Sequence, residues 1–201
     1  MKNPIAKLKI KNGATITMEL YPDQAPESVK NFISLCNKNF YEGLYFWRVE
    51  PHKMIQSGCP DNDGTGAMEY CIKSECINNG VNNTLKFTRG AVGLGRFEYN
   101  TECSDFYIVL EDNPKLDDEY VCFARVIDGM EEADRIGSFP VEECGFMHKA
   151  LEKAYIESLT VDTFVVDYGE PEKLPGFPKE ELVARMNAAI EERQKSGYSA
   201  F

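Results

Sequence analysis

The sequence predicts a mainly β fold, an antiparallel sandwich or barrel capped by two helices, with a third helix appended at the C-terminus. Three observations carry this. Short segments alternate apolar and polar residues, turn-forming residues separate them, and no regular strand–helix alternation of the doubly wound type appears.

Taken in order, Ile5 to Ile10 alternates, Asn12-Gly13 supplies a tight turn, and Thr15 to Leu20 alternates again, which predicts a hairpin. After the Pro22 to Pro26 break, Val29, Phe32, Ile33 and Cys36 recur at helical spacing, with Pro26 and Glu27 suited to a first turn. Tyr45 to Val49 reads as a strand, followed by a segment through Ile55 and a loop punctuated by Gly58, Gly64 and Gly66. Further strands are expected over Leu85 to Thr88, Val92 to Leu94, Phe106 to Leu110, Tyr120 to Val126 and Ala154 to Val161. A short helix around Met130, Ala133 and Ile136 interrupts them.

Beyond Asp167 the character changes. Gly169, Pro171, Pro175, Gly176 and Pro178 suit a stiff linker rather than a strand. From Lys179 to Lys195, Leu182, Val183, Met186, Ala189 and Ile190 form an apolar stripe, and Gly197 is a natural stop. The expected division is a domain over 1–166 and a linker plus amphipathic helix over 167–201. That helix either packs back on its own domain or serves as a contact between chains, so a monomer or a weak dimer through it is expected.

Composition narrows the function. A content of 43% hydrophobic and 27% charged residues is that of a globular chain, and no apolar run is long enough to span a bilayer. Without a signal-like N-terminal core, a cytoplasmic location is the expectation. The net charge of −11 repels phosphate backbones and anionic lipid heads, which argues against nucleic-acid and membrane partners.

The seven cysteines (Cys36, Cys59, Cys71, Cys76, Cys103, Cys122 and Cys144) are odd in number, and a chain of 201 residues does not need a disulfide framework. Their spacing, with only His52 and His148 to help, does not suit zinc, and His-dependent nucleophilic catalysis is equally poorly supplied. Gly90-Ala91-Val92-Gly93-Leu94-Gly95 has its glycines in the wrong order for a nucleotide loop and lacks a following lysine. Asp61-Asn62-Asp63-Gly64 opens like a calcium loop, but its glycine comes too early. Asn82-Asn83-Thr84 matches a glycosylation acceptor only formally, since no export signal is seen.

The informative stretch is Phe46-Trp47-Arg48-Val49-Glu50-Pro51-His52-Lys53-Met54-Ile55-Gln56-Ser57-Gly58. An arginine within an apolar strand pattern often covers apolar surface with its stem while its head reaches water. Here, however, the segment resembles the cyclophilin signature, a Phe-x-Arg-x-x-Pro opening followed by Met-x-Gln-x-Gly. The resemblance covers roughly residues 4 to 165 and includes Ala25-Pro26, Gly64-Thr65-Gly66, Ser104-Asp105-Phe106-Tyr107-Ile108, Leu116-Asp117 and Val121-Cys122-Phe123.

The resemblance implies a closed eight-stranded antiparallel barrel capped by two helices, and peptidyl-prolyl cis-trans isomerase activity on proline-containing peptides without metal, nucleotide or other cofactor. Arg48 would be the catalytic cation and Gln56 would hold substrate backbone. Met54, Tyr107 and Leu116 would form the proline pocket, with Leu94 and Gly95 at its rim. Against the usual pattern, Lys53 stands for a pocket phenylalanine, Tyr107 for another, and Lys115 for a tryptophan that contacts cyclosporin. Asp105 replaces a glutamine, Arg96 an asparagine, Tyr120 a histidine and Leu94 a methionine. These changes argue against cyclosporin binding; two readings stand side by side, drift in a surface groove, or an Asp105 that pairs with Arg48 or Lys53 and tunes the groove toward charged substrates. A catalytically weak proline-peptide binding module and an assembly scaffold built on the terminal helix are the competing functional classes.

Overall fold

The computed structural model describes residues 2–66, 69–144 and 147–196. Gly197, expected to end the terminal helix, lies outside the described residues.

The expected opening hairpin forms as β1 (Ile5–Ile10) and β2 (Thr15–Leu20), and the helix after the proline break is α1 (Pro26–Asn37). Next come β3 (Arg48–Glu50), β4 (Met54–Ser57), β5 (Tyr70–Cys71), β6 (Ala91–Leu94), β7 (Phe106–Val109), β8 (Cys122–Asp128) and α2 (Met130–Gly137). The chain continues through β9 (Val141–Cys144), β10 (Met147–Ala150), β11 (Ile156–Asp162), β12 (Leu174–Pro175) and α3 (Lys179–Ser196).

The closed eight-stranded barrel is corrected. The main sheet has ten strands in the order β11-β1-β2-β8-β6-β7-β4-β3-β10-β9, and no strand ladder closes it; β5 and β12 form a separate two-stranded sheet. The reason lies at the joint. Residues 43–47 approach the start of β11 through irregular backbone, with Gly43 N donating to Ile156 O (2.9 Å), Ile156 N to Leu44 O (2.7 Å) and Phe46 N to Ala154 O (3.1 Å). These bonds satisfy the backbone without a regular ladder. Beyond β3 the β9–β10 hairpin extends the sheet; its segments, Val-Glu-Glu-Cys and Met-His-Lys-Ala, lack the alternation that marks a strand in sequence.

Leu85 to Thr88 is not a strand. Side chains satisfy its backbone instead: Leu85 N donates to Asn83 Oδ1 (3.2 Å) and Phe87 N to Asp117 Oδ1 (2.8 Å). Short polar side chains of this kind compete with the sheet for backbone donors.

Across β3, β4, β7 and β6 the strand period of two separates two sets of residues. Val49, Ile55, Ile108 and Val92 face inward to the main core, joined by Phe32, Tyr41, Phe106 and Phe123. The Phe32 ring meets Phe106 edge-on at 5.8 Å and Phe123 at 5.1 Å, which locks α1 against the sheet.

The N-terminus of α1 has no cap of its own, since Ala25 precedes it. Glu75, buried and 48 residues beyond Glu27, supplies one: its carboxylate accepts from Glu27 N (3.0 Å), Ser28 N (2.8 Å) and Ser28 Oγ (2.7 Å). A carboxylate there satisfies donors that would otherwise be orphaned and complements the positive end of the helix. Glu75→Ala should therefore cost about 1–3 kcal/mol, the penalty for leaving buried donors unmatched, read as a fall in urea midpoint without a change in slope. An unchanged midpoint would contradict this capping role.

Candidate functional site

Strand register builds the site. Arg48 pairs with Gln56 across β3 and β4, Gln56 with Tyr107 across β4 and β7, and Tyr107 with Gly93 across β7 and β6. Directly opposed residues share a face, so this row runs along the outer surface of the sheet.

At one end of the row is a polar network. The Arg48 Nη1 donates to Gln56 Oε1 (3.2 Å), and Gln56 Nε2 donates to Asp105 Oδ2 (3.1 Å). On its other side the guanidinium engages Glu50 Oε1, with Nε at 2.9 Å and Nη2 at 2.8 Å. Glu50 is in turn held by β10: His148 N donates to Oε1 (3.3 Å), and His148 Nδ1 lies 2.6 Å from Oε2. Arg48 and Glu50 are both largely buried, so their charges interact with less screening than on an open surface. The low-polarity surroundings push the Asp105 carboxyl up to about 7, with the Gln56 hydrogen bond and the Arg48 charge pulling it part of the way back. Asp105 thus meets Arg48 through Gln56, and the direct Asp105 pair with Lys53 is not formed; Lys53 is exposed.

At the other end is an apolar cluster. Met54, Tyr107, Leu116 and Tyr120 are buried together with Phe87, whose ring stacks on Tyr107 at 5.8 Å. Gly93 permits this, because a Cβ there would lie 2.5 Å from the Tyr107 ring and hydroxyl. The expected pocket residues are brought together, but packed against one another.

Leu94, expected at the rim, points the other way. It opposes Phe106 and belongs to the inner core, because it is one residue out of phase with Gly93. Gly95 does reach the groove, its N–H donating to Asp105 O (2.8 Å). Arg96 is buried between the rings of Tyr99 (4.1 Å) and Tyr120 (4.5 Å) and pairs with Glu119 (2.8 Å).

Beside the polar network lies a cavity of about 140 Å³, bordered on the sheet side by Trp47, Arg48, Gln56, Gly95 and Asp105. Its opposite wall comes from the tail: Phe177, Leu182, Met186, Ala189 and Ile190. The terminal helix therefore packs back on its own chain, over this groove.

Sequence reasoning passed over Glu50 and His148. Glu50 was accessible in principle, because a residue two positions from Arg48 on a strand shares its face. His148 was not, since only the pairing of β10 with β3 brings it there. Among the described residues no cluster of His, Cys, Asp or Glu could hold a metal ion, and no helix is long and apolar enough to cross a membrane.

Comparison with known proteins bears on this geometry. Peptidyl-prolyl cis-trans isomerase B of Bacillus subtilis is 37% identical over 129 residues, covering 64% of this chain and 87% of the relative. The human peptidyl-prolyl cis-trans isomerase-like 3 is 32% identical over 147 residues, covering 73% and 89%. Among solved structures, a cyclophilin-type peptidyl-prolyl cis-trans isomerase of Cryptosporidium parvum superposes with a TM-score of 0.70 at 24% identity, covering 80% of this chain and 98% of that one. The structure of that protein in the presence of the dipeptide Ala-Pro matches with a TM-score of 0.69 at 25% identity, covering 79% and 99%. A family model described as "Cyclophilin type peptidyl-prolyl cis-trans isomerase/CLD" matches residues 5–161, and with that span matched the chain belongs to the cyclophilin-type peptidyl-prolyl cis-trans isomerase family.

Proposed function

We propose that this chain accelerates rotation about Xaa-Pro bonds in proline-containing peptides, with residues 1–166 as the catalytic unit and Arg48 as the catalytic cation. The observation that carries the reading is the cross-strand pair of Arg48 and Gln56 on the outer face of the sheet, both lining a groove together with Gly95 and Asp105.

Amide resonance sets a barrier of about 18–20 kcal/mol, so unassisted isomerisation takes roughly 10–100 s. Reaching milliseconds needs about five decades, or roughly 7 kcal/mol of preferential transition-state binding. In the twisted state the proline nitrogen becomes pyramidal and gains a lone pair. A guanidinium facing that nitrogen stabilises the twisted state more than the planar one, and no covalent step or cofactor is needed. Gln56, tied to both Arg48 and Asp105, steadies the guanidinium and offers a polar group to the substrate backbone. Gly95 and Asp105 line the groove beside Arg48, while Met54, Tyr107, Leu116 and Tyr120 form a buried apolar cluster that has to part to receive the proline ring. Lys53, exposed where the family has a pocket phenylalanine, weakens that apolar grip. Together with Lys115 it argues for poor cyclosporin binding.

A second reading, a proline-peptide binder with weak turnover, is favoured by one observation: Glu50 already engages the Arg48 guanidinium. A neighbouring carboxylate reduces the positive potential available to a developing lone pair.

Three outcomes follow. Arg48→Ala should lower kcat/KM about 10²- to 10³-fold in exchange-NMR assays on a series of Xaa-Pro peptides, as expected for removing one electrostatic stabiliser; undiminished exchange would sink the mechanism. Glu50→Gln should raise kcat, because it removes the carboxylate charge beside the guanidinium while keeping an acceptor for it; a fall would mean that the Glu50 charge is needed to position Arg48. Asp105 gives a pH signature. Its carboxyl is raised from 3.8 to about 7 in the folded chain, so the folded state holds a proton that the unfolded state has released. The carboxyl therefore removes stability as pH climbs from about 4 to 7 and costs nothing further above that. Asp105→Asn should gain in urea midpoint over the parent across that window and hold the gain at higher pH; equal midpoints at pH 5 and pH 8 would refute it.

A further inference from the structure

The tail reaches the groove along a defined path. Glu170 pairs with Lys38, just past the end of α1, at 3.0 Å, β12 pairs with β5 through Leu174 opposite Cys71, and Gly176 N donates to Glu69 O (3.1 Å). Phe177 then packs edge-on against Phe97 at 6.0 Å, with the Arg185 guanidinium 4.5 Å from its ring centre. From there α3 crosses the cavity edged by Arg48, Gln56 and Asp105.

Two features set how firmly it is held. The helix is fastened at the rim by basic side chains on acidic ones, Lys179 to Asp61 and Arg185 to Glu98 at 2.6 Å, all substantially exposed. Exposed pairs of this kind contribute only about 0–1 kcal/mol each. The apolar stripe of Leu182, Val183, Met186, Ala189 and Ile190 is half-buried throughout, and beneath part of it the 140 Å³ cavity remains. A helix that served only as part of the core would bury its stripe and leave no such space. The basic anchors also stand out on a chain of net charge −11, and they match acidic residues at the rim of this groove.

We propose that α3 is an intramolecular roof over the catalytic groove, which lowers apparent affinity for proline peptides until it swings aside. The proposal rests on the reading of this groove as the peptide site. Peptide and helix compete for the surface beside Arg48, Gln56 and Asp105. Apparent affinity falls by the fraction of molecules that are open, so a closed-to-open ratio of about ten weakens binding about tenfold. Restraint is thereby built into the chain, and a partner that takes up the apolar stripe of α3 would relieve it.

The test uses the full chain with Leu182→Glu and Met186→Glu combined, placing two carboxylates against the groove beside Asp105. Lys179→Glu with Arg185→Glu is the second variant, removing the rim anchors and keeping the stripe. Two readouts are needed: titration with a short Xaa-Pro peptide, and the emission of Trp47, the single tryptophan, which borders the cavity under the helix. The roof requires about tenfold tighter peptide binding and red-shifted Trp47 emission in the stripe variant, with a smaller change in the same direction in the anchor variant. Unchanged or weaker binding in both variants overturns it, whether or not the emission moves, because the helix then does not compete with peptide. Exchange NMR on the same samples separates the two readings. Tighter binding with no turnover in any protein supports the roof and defeats the isomerase assignment, whereas no peptide binding by any of the three defeats both.

Discussion

The constraint on which the rest depends is the two-residue period of the β3–β4–β7–β6 ladder. Because alternate residues point to opposite faces, one set of strands builds both the core and the groove. Val49, Ile55, Ile108 and Val92 face inward, and Arg48, Gln56, Tyr107 and Gly93 face outward in a cross-strand row. A slip of one residue would bury the guanidinium in the aromatic core and expose the apolar set, so hydrophobic burial itself holds the site in register. Leu94 illustrates the rule: one step from Gly93, it belongs to the core and not to the groove.

On that scaffold the chemistry of Arg48 is a matter of neighbours. It bonds to Gln56 on β4 and to Glu50 on its own strand, and the two are held by Asp105 and His148. The network fixes the planar fork of the guanidinium in place, and fixed donors stabilise a transition state better than donors that must reorient. It also divides the charge among competing acceptors. On the proposed reading, the balance between a well-oriented cation and a neutralised one would set how strong a catalyst this groove is.

The tail adds a layer outside the ten-stranded sheet. A short strand pair and exposed ion pairs carry it along the surface, and a half-buried apolar stripe lays it over the groove. Such contacts hold a helix in place at low cost of release, which suits a movable element better than a structural one.

The sequence by itself determined a great deal. Alternation located β1 and β2, runs of strand-forming residues placed β6, β7, β8 and β11, helical spacing located α1, α2 and α3, and the resemblance of one segment to the cyclophilin signature singled out Arg48 and Gln56, which meet in the groove. The strands and helices were legible as local signals, carried by period and composition within one segment, whereas the site residues were legible only through the resemblance. Only the tertiary structure decided what depends on distant segments meeting. Irregular backbone at residues 43–47 left the ladder open, and a hairpin without alternation joined the sheet at β3. Glu75 capped α1 from 48 residues away, and His148 was brought to Glu50. The destination of α3 belongs to the same class. Its stripe was legible as apolar, but a stripe records that a helix seeks a surface and not which one; the path of the linker and the placement of Asp61 and Glu98 directed it to the groove.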